Sequence, residues 1–186
     1  MRISGGAHKG KKLIVPKGDS VRPTTDKVRQ AIFNALNSRG AIAAANVLDL
    51  FCGTGSLGLE ALSRGAAQCT FIDNSKDSLK ACKANIATCD AGASAKILMK
   101  DVSKLHACKG QKADLVLLDP PYRLNLVYPT LQHLCESGWI ANEAVIVVDC
   151  EKEADEVLPE TFTLLDIKNY GDVKILLAQY TAVNKA

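Results

Sequence analysis

Short apolar runs alternate with helical stretches along most of the chain, and this alternation restricts the fold more than any other feature of the sequence. The runs that predict strands are 47–51, 70–72, 96–99, 114–118 and 144–148. Helical stretches lie between them, the clearest at 75–89 and 125–136. Strands that alternate with helices form right-handed βαβ units, so we expect a mostly parallel sheet with helices packed on it. Two further β-prone runs, 162–168 and 173–180, predict a closing antiparallel pair.

Length and composition agree with a single globular domain. At about 150 residues per domain, the 186 residues of the chain make one domain. Hydrophobic residues make up 47% and charged residues 23%, which excludes a disordered chain or a coiled coil. No apolar run approaches the ~18 residues of a membrane span, and the N-terminus lacks the pattern of a secretory signal. We therefore expect a cytoplasmic protein that does not enter a membrane.

The cysteine pattern argues against disulfide bonds and against a metal site. The chain has seven cysteines, and the closest two, Cys82 and Cys89, are too far apart for a C-x-x-C motif. In a cytoplasmic protein such thiols stay reduced, and most of them are expected to be small core residues. We therefore expect no bound metal.

Positive charge is concentrated at the N-terminus. Residues 1–29 carry eight lysines and arginines against two aspartates, a net charge of +6, whereas the rest of the chain carries −3. β-prone pieces near 2–4 and 12–15 are separated by glycines and predict a small basic hairpin. Pro23 stands where a helix can begin, and the apolar spacing after it predicts a helix over 24–37. A basic arm of this kind suits contacts with the phosphates of a nucleic acid.

A glycine-rich turn follows the run at 47–51. Gly53, Gly55 and Gly58 match the pattern G-x-G-x-x-G, in the required position between a strand and a helix. Asp73 lies 20 residues after Gly53, at the end of the next predicted strand. A carboxylate at that place accepts hydrogen bonds from the ribose hydroxyls of an adenosine-type cofactor.

Charges around the turn separate two classes of cofactor. Asp49 precedes the glycines and Glu60 follows them. Nearby carboxylates disfavour a pyrophosphate, whereas they attract a cofactor that carries a sulfonium and an ammonium group. This favours S-adenosylmethionine, and NAD remains the alternative for the same glycine pattern.

A second motif, Asp119-Pro120-Pro121-Tyr122, follows the predicted strand at 114–118. Ligands of open α/β sheets bind outside the carboxyl ends of the strands, so this motif and the glycine turn are expected to face one crevice. The Asp119 carboxylate and the Pro120 carbonyl can accept both hydrogens of an exocyclic amine. The two prolines stiffen the backbone that holds this carbonyl, and Tyr122 can stack on a flat base. Together these residues suit the transfer of a methyl group to the amino group of a base.

Both motifs occur together in a known class of enzymes. Residues 48–62 and the DPPY motif resemble class I S-adenosylmethionine-dependent methyltransferases. Three N-terminal blocks, at 2–6, 9–13 and 22–29, narrow the resemblance to the bacterial family that methylates guanine N2 of 16S ribosomal RNA. The resemblance implies a Rossmann-like α/β fold with a seven-stranded, mostly parallel sheet, an antiparallel last strand pair and a small N-terminal β-hairpin.

The resemblance, with the charges and motifs above, also assigns roles along the chain. Residues 1–22 are expected to form the basic hairpin or arm, and residues 23–186 the methyltransferase domain of what is one domain overall. Contacts with the cofactor are expected from Asp49, Phe51, Gly53, Thr54, Gly55, Gly58, Asp73, Asn74, Asp101 and Val102. Contacts with RNA are expected from Arg2, Lys9, Lys11, Lys12, Arg22, Thr24, Arg29 and Arg123.

Among three acidic features, one has two possible roles, one differs from the residue common in the family, and one forms an acidic stretch. Asp101 resembles the residue that meets the adenine amino group, but it suits the N-cap of a short helix before Val102 equally well. Asp73 stands where the family commonly has a glutamate, so its ribose contact is expected to be longer or to pass through water. The acidic stretch 149–160 predicts a solvated edge after the fifth strand.

The motifs leave other activities open. The DPPY motif is shared with adenine-N6 and cytosine-N4 enzymes, so methylation of DNA adenine or of another RNA or protein amide remains an alternative. A nicotinamide-dependent oxidoreductase and a non-catalytic RNA-binding protein are further alternatives. Because the arm carries only +6, we expect 16S ribosomal RNA within the 30S subunit or an assembly intermediate as the substrate, rather than naked RNA. We also expect a monomer, and the sequence does not identify the target nucleotide.

Overall fold

The computed structural model describes residues 1–15, 26–154 and 157–183. In this part of the chain one sheet holds seven strands: β1 (Asn46–Leu50), β2 (Gln68–Asp73), β3 (Ala95–Met99), β4 (Ala113–Leu118), β5 (Ile140–Glu151), β6 (Phe162–Tyr170) and β7 (Val173–Tyr180). Their order is β3-β2-β1-β4-β5-β7-β6. The strands from β1 to β5 are parallel, and β7 runs antiparallel to both β5 and β6. The expected α/β fold of the class I methyltransferases is confirmed, including its antiparallel last strand pair.

Helices cover both faces of the sheet. The described residues form four α-helices: α1 (Asp26–Ser38), α2 (Ser56–Ser63), α3 (Lys76–Thr88) and α4 (Val127–Glu136). The first three pack with the N-terminal segment over one face, and α4 packs over the other. The apolar stripe predicted for the first helix is buried at Val28, Ile32 and Leu36, which is why α1 lies flat on the core.

The N-terminal segment folds back on itself as the predicted hairpin. The Ile3 N–H donates to the Lys11 carbonyl at 3.0 Å, and the Gly10 N–H donates to the Ile3 carbonyl at 2.9 Å. The pairing is short, with one antiparallel bridge between Arg2 and Lys12. Ile3 and Leu13 are buried in the core cluster that also contains α1. The predicted boundary between arm and domain, at 22/23, lies outside the described residues.

A buried ion pair fastens this hairpin to two helices. Arg29 of α1 and Glu60 of α2 approach to 3.3 Å, and both side chains are 0% exposed. The Glu60 carboxylate also accepts from the Ser4 backbone N–H at 2.8 Å, from the Ser4 hydroxyl at 2.7 Å and from Arg64 at 2.7 Å. Arg29 donates in addition to Asp26 at 2.8 Å and to the Arg2 carbonyl. Several hydrogen bonds thus offset the desolvation of the two buried charges.

This network corrects two expectations from the sequence. Glu60 was expected to attract a cationic cofactor, but its carboxylate is saturated by Ser4, Arg29 and Arg64 and faces the hairpin. Arg29 was expected to contact RNA, but its guanidinium is inside the protein and neutralised there. The reason is the same for both: each side chain lies on the face that its helix turns towards the hairpin.

The acidic stretch at 149–160 is only partly a solvated edge. β5 continues to Glu151 because it pairs with β7 up to the register Glu151–Val173. Asp149 therefore lies within a paired strand and is buried. The prediction of a solvated edge is wrong for this residue, whereas Lys152, Glu153 and Glu160 are exposed.

The cysteines behave as expected. All seven are free thiols, and the buried ones are Cys52, Cys69, Cys82, Cys89 and Cys150. Among the residues that the structure describes, no group of three or more His, Cys, Asp or Glu side chains is arranged to hold a metal ion. No helix in the described ranges has both the length and the apolar character needed to cross a bilayer.

Removing the Arg29 charge should destabilise the fold strongly. Arg29→Met leaves the Glu60 carboxylate buried with one cation fewer, and breaking a buried pair costs about 3–5 kcal/mol. Because Arg64 still contacts Glu60, we expect a loss near 3 kcal/mol in urea unfolding, a value at the lower end of that range. The matched control is Lys27→Met, an exposed position on the same helix, where the change should stay within about 0.5 kcal/mol. Equal losses in the two variants would contradict a stabilising role for the pair.

Candidate active site

The candidate site lies at the carboxyl edge of the sheet between β1 and β4. These strands are parallel neighbours, and Leu50 at the end of β1 is in register with Leu118 at the end of β4. From β1 the chain continues outwards to β2 on one side of the sheet, and from β4 it continues outwards to β5 on the other side. The direction in which strands are added therefore reverses between β1 and β4. Loops that leave such a reversal diverge and open a crevice for ligands. The glycine turn and the DPPY motif both begin here, as predicted.

The three glycines of the turn serve two different purposes. Gly53 has a φ of +52°, and a Cβ built on it would meet only the Phe51 carbonyl oxygen, at 4.0 Å. A Cβ on Gly55 would come within 2.6 Å of the Cys82 sulfur, and one on Gly58 within 2.4 Å of Phe71. Gly55 and Gly58 therefore allow α2 to pack closely on the sheet, whereas Gly53 leaves an open cradle beside the backbone.

Asp49 is buried beneath this turn. Its Oδ2 accepts a hydrogen bond from the Gly58 N–H at 2.9 Å, and only 1% of the residue is exposed to solvent. Oδ1 is buried and has no hydrogen-bond partner among the described residues. Burial raises the pKa of Asp49 to about 8, against the smaller opposing effect of the Gly58 hydrogen bond. An acid with a spare acceptor atom thus lies directly under the glycine cradle.

Asp73, at the end of β2, holds the turn from the side. Its Oδ2 accepts from the Gly53 N–H at 2.8 Å, and its Oδ1 accepts from the Ser75 N–H at 2.8 Å. Each carboxylate oxygen has two lone pairs, so both oxygens retain the capacity to accept from a ribose hydroxyl. Asn74 follows, exposed, at the same edge.

Asp101 caps the short 3₁₀ helix Val102–Lys104, which was one of its two predicted roles. Its Oδ1 accepts from the Ser103 N–H at 3.0 Å and from the Ser103 hydroxyl at 2.8 Å. These hydrogen bonds lower the pKa of Asp101. The Val102 side chain is buried in the core cluster on the α4 face. The contacts of Asp101 and Val102 with the cofactor stay predictions.

Asn85 connects the glycine turn to the hairpin. Its Oδ1 accepts from the Ile14 N–H at 2.7 Å, and its Nδ2 donates to the carbonyls of Ile14 and Thr54, each at 3.0 Å. The Asn85 residue is fully buried in α3. Thr54 is in this way fixed through its backbone, next to Phe51 and Gly53, which adopt left-handed conformations. Sequence reasoning missed Asn85, since one amide within a helix carries no local signal for contacts this distant.

The DPPY motif leaves β4 at the crevice. The Asp119 N–H reaches back to the Leu50 carbonyl at 3.5 Å, and the Asp119 side chain is partly exposed. Pro120 is buried and Pro121 is exposed, so the turn between them crosses from the core to the surface. Tyr122 is half-buried, and its hydroxyl donates to Asp149 Oδ1 at 3.1 Å.

Asp149 is a second residue that the sequence reasoning missed. It lies near the carboxyl end of β5, the strand next to β4, and is buried. Burial, with the nearby Asp149 and Asp119 carboxylates, raises the pKa of Tyr122 well above its ordinary value, so the phenol stays a hydrogen-bond donor. A signal was available in the sequence, because Asp149 directly follows the predicted strand 144–148 just as Asp119 directly follows 114–118.

Apart from the buried Arg29, the described basic residues that were predicted to bind RNA lie at the surface. Arg2, Lys9 and Lys12 are exposed on the hairpin, and Lys11 is partly exposed. Arg123 is exposed, and its Nε lies 3.3 Å from a Glu151 oxygen. Arg22 and Thr24 lie outside the described residues. The contacts of all these residues with RNA stay predictions.

A cavity elsewhere on the protein is unrelated to these residues. It has a volume of about 480 Å³ and lies at the amino edge of the sheet, where Asn46 and Gln68 begin β1 and β2. Trp139 and Lys96 also line it. The motif residues lie at the opposite edge of the sheet, so this cavity is not the candidate site.

The residues at the crevice fit S-adenosylmethionine as a cofactor. The open side of Gly53 and the remaining acceptor capacity of Asp73 suit a ligand with a ribose. A cationic group beside the buried Asp49, whose Oδ1 has no hydrogen-bond partner among the described residues, would favour the ionised form of this acid. A pyrophosphate would meet the Asp73 carboxylate beside the glycine turn, which disfavours NAD.

The Asp49 acid should make the stability of the free protein fall as the pH rises. Its pKa is about 8 in the fold against an ordinary value of 3.8, so between these values the folded chain holds a proton that the unfolded chain has lost. The associated stability is fully present below about pH 4 and is lost as the pH rises towards 8, at about 1.4 kcal/mol per pH unit for one proton. Urea unfolding between pH 5 and 8 should show a smaller slope for Asp49→Asn. The exposed Asp114→Asn should keep the wild-type slope, and an unchanged slope in Asp49→Asn would contradict the assignment.

Comparison with known proteins agrees with this geometry. Residues 1–179 match the family described as Conserved hypothetical protein 95. The chain is 39% identical over 183 residues to Ribosomal RNA small subunit methyltransferase D of Escherichia coli K12, covering 98% of this chain and 91% of that protein. The protein of the same name from Haemophilus influenzae is 37% identical over 182 residues, covering 96% and 93% of the two chains.

A solved structure gives the same result for the fold. Protein yhhF from Escherichia coli, described as a methyltransferase, superposes with a TM-score of 0.86 at 40% identity, covering 98% of this chain and 99% of that one. The sheet order, the glycine turn, the DPPY motif and the near full-length match lead to one assignment: this chain belongs to the Conserved hypothetical protein 95 family of S-adenosylmethionine-dependent methyltransferases.

Proposed function

We propose that the protein transfers the methyl group of S-adenosylmethionine to the exocyclic N2 amine of a guanine in 16S ribosomal RNA of the small ribosomal subunit. The observation that carries this proposal is the position of the DPPY motif beside the glycine turn, at adjacent strand ends, in a chain with a basic hairpin. The names of its relatives from Escherichia coli and Haemophilus influenzae support small-subunit ribosomal RNA as the substrate class.

The groups at the crevice suit an amine acceptor. When bound, the cofactor supplies a methyl group on a sulfonium centre. The Asp119 carboxylate and the Pro120 carbonyl accept the two N–H hydrogens of the amine, which fixes the direction of its lone pair. Positioning of this kind supplies much of the rate acceleration without a strong base. Asp119 then takes up the proton that the amine loses on methylation.

Tyr122 gives the target base a surface to stack on, worth about 1–3 kcal/mol. Its hydroxyl is held by Asp149 at 3.1 Å, which limits rotation of the ring. The guanine must leave its stack to reach this place, and loops or bulges of structured RNA present such bases. The basic residues of the hairpin, with Arg22, Thr24 and Arg123, are proposed to hold the flanking backbone.

The proposal also covers the domain organisation, oligomeric state and location of the enzyme. We take residues 1–22 as the arm and 23–186 as the methyltransferase domain, active as a monomer in the cytoplasm, where 30S particles form. One copy supplies both strand ends and the hairpin, so no second copy is needed to complete the crevice. The sedimentation coefficient of the purified chain tests the monomer.

Methyl transfer to the particle is the direct test. The chain is incubated with tritiated S-adenosylmethionine and 30S subunits that lack the modification, in parallel with protein-free 16S ribosomal RNA. We expect label in N2-methylguanine and a higher rate on the particle, because ribosomal proteins present the target and the arm has modest charge. Label in adenine or in a ribosomal protein would contradict the proposed substrate. A higher rate on naked RNA would contradict only the preference for the particle.

Asp119→Ala should abolish methyl transfer while 30S binding stays within about two-fold of wild type, since phosphate contacts supply most of the affinity. The control is Asp114→Ala, which removes an exposed aspartate at the opposite end of the same strand and should retain activity. Both variants are compared by initial rate and by filter binding. Unchanged turnover in Asp119→Ala would refute the role given to this residue.

A further inference from the structure

The positive charge of the chain has a second concentration besides the N-terminus. Residues 76–104 carry six lysines and three aspartates, a net charge of +3. Together with the +6 of residues 1–29, this leaves the remaining residues with a net charge of −6. The whole-chain charge of +3 therefore conceals two basic segments and an acidic remainder.

Three of the six lysines form a row on α3. Lys76, Lys80 and Lys83 are spaced i, i+4 and i+7, which places them on one face of the helix. All three are exposed. Within the described residues, none of them has a carboxylate oxygen within 4.0 Å, although Asp77 is on the same helix. The row, which we call the α3 lysine face, is thus a set of unneutralised charges.

The α3 lysine face borders an open groove at the edge of the sheet. Leu79 of α3 and Ile97 of the edge strand β3 form its floor, and the three lysines surround it with one carboxylate, Asp77. The groove has a volume of about 670 Å³. The aliphatic stems of these lysines can cover the apolar floor while their ammonium groups extend into the solvent.

The helix that carries this face is bonded to the basic hairpin. Lys83 precedes Asn85 by two residues, and Asn85 binds both backbone groups of Ile14 at the end of the hairpin. At the other end of the row, Lys76 follows Ser75, whose N–H is bonded to Asp73 at the crevice. The helix with the lysine row therefore begins at the edge of the candidate active site and, near its other end, holds the hairpin through Asn85.

We propose that the α3 lysine face is a second phosphate-binding surface, which engages the backbone of the ribosomal RNA next to the target nucleotide and extends the basic hairpin. This inference rests on the proposed function. A polyanion fits better than a protein, because the face offers spaced point charges and no exposed Trp, Tyr or Arg on α3 to anchor a protein interface. Lysines bind phosphates without reading sequence, so the surface adds affinity rather than base specificity.

The test removes two charges from the row and compares a matched pair elsewhere. Lys80→Gln/Lys83→Gln alters the α3 lysine face, and Lys109→Gln/Lys112→Gln removes two exposed lysines with the same spacing before β4. With 30S particles as substrate, the first variant should raise KM about five-fold or more at physiological salt and leave kcat unchanged. The slope of log affinity against log salt should fall by about 1.4, which corresponds to two lost phosphate contacts. The Lys109/Lys112 variant should keep both values.

Three outcomes separate the possible failures. A wild-type chain that transfers no methyl group to guanine contradicts the proposed function, and with it this inference. If the wild-type chain methylates guanine and the Lys80→Gln/Lys83→Gln variant keeps the wild-type KM and salt slope, the proposed function stands and only this inference is contradicted. Loss of affinity for the particle without loss for protein-free 16S ribosomal RNA would assign the face to a ribosomal protein and overturn the phosphate contact. Calorimetric affinity for S-adenosylmethionine should be the same in all variants and checks that each one is folded.

Discussion

The parallel pairing of β1 with β4 is the contact on which the candidate site depends. It brings the ends of two strands that are 68 positions apart, Leu50 and Leu118, into register at one edge of the sheet. Because the strand order reverses there, the loops that follow open a crevice instead of packing on each other. Gly53, Asp73 and Asp119 each belong to a strand end or loop at this edge, so the chemistry of the site follows from the topology.

The hairpin is held to this framework by buried polar contacts as well as by its buried Ile3 and Leu13. Glu60 is bonded to the backbone of the hairpin and to Arg29, and Asn85 is bonded to Ile14 and Thr54. Buried charges are costly, and they persist here because each has several partners. The basic arm and the glycine turn consequently share contacts with the same two helices, α2 and α3, which gives both segments a common support.

Most elements of the fold were predictable, since each strand is an apolar run and each helix has an apolar face of its own. The exception is β5, which extends to Glu151 although the sequence predicts a strand only over 144–148. Its polar end is held by pairing with β7, and pairing with a distant strand outweighs local preference. This extension is what places Asp149 beside Tyr122 and gives the site its second buried acid.

The sequence by itself determined the α/β alternation, the glycine turn, the DPPY motif and the class of chemistry, because these depend on short spacings and on the properties of neighbouring residues. Only the tertiary structure decided that Arg29 and Glu60 neutralise each other, that Asn85 joins the hairpin to the turn, and that Lys76, Lys80 and Lys83 border one groove. Those contacts join residues separated by tens of positions in the chain. A side chain's partner at such a distance is set by how the helices pack on the sheet, and no local pattern of charge or hydrophobicity encodes it.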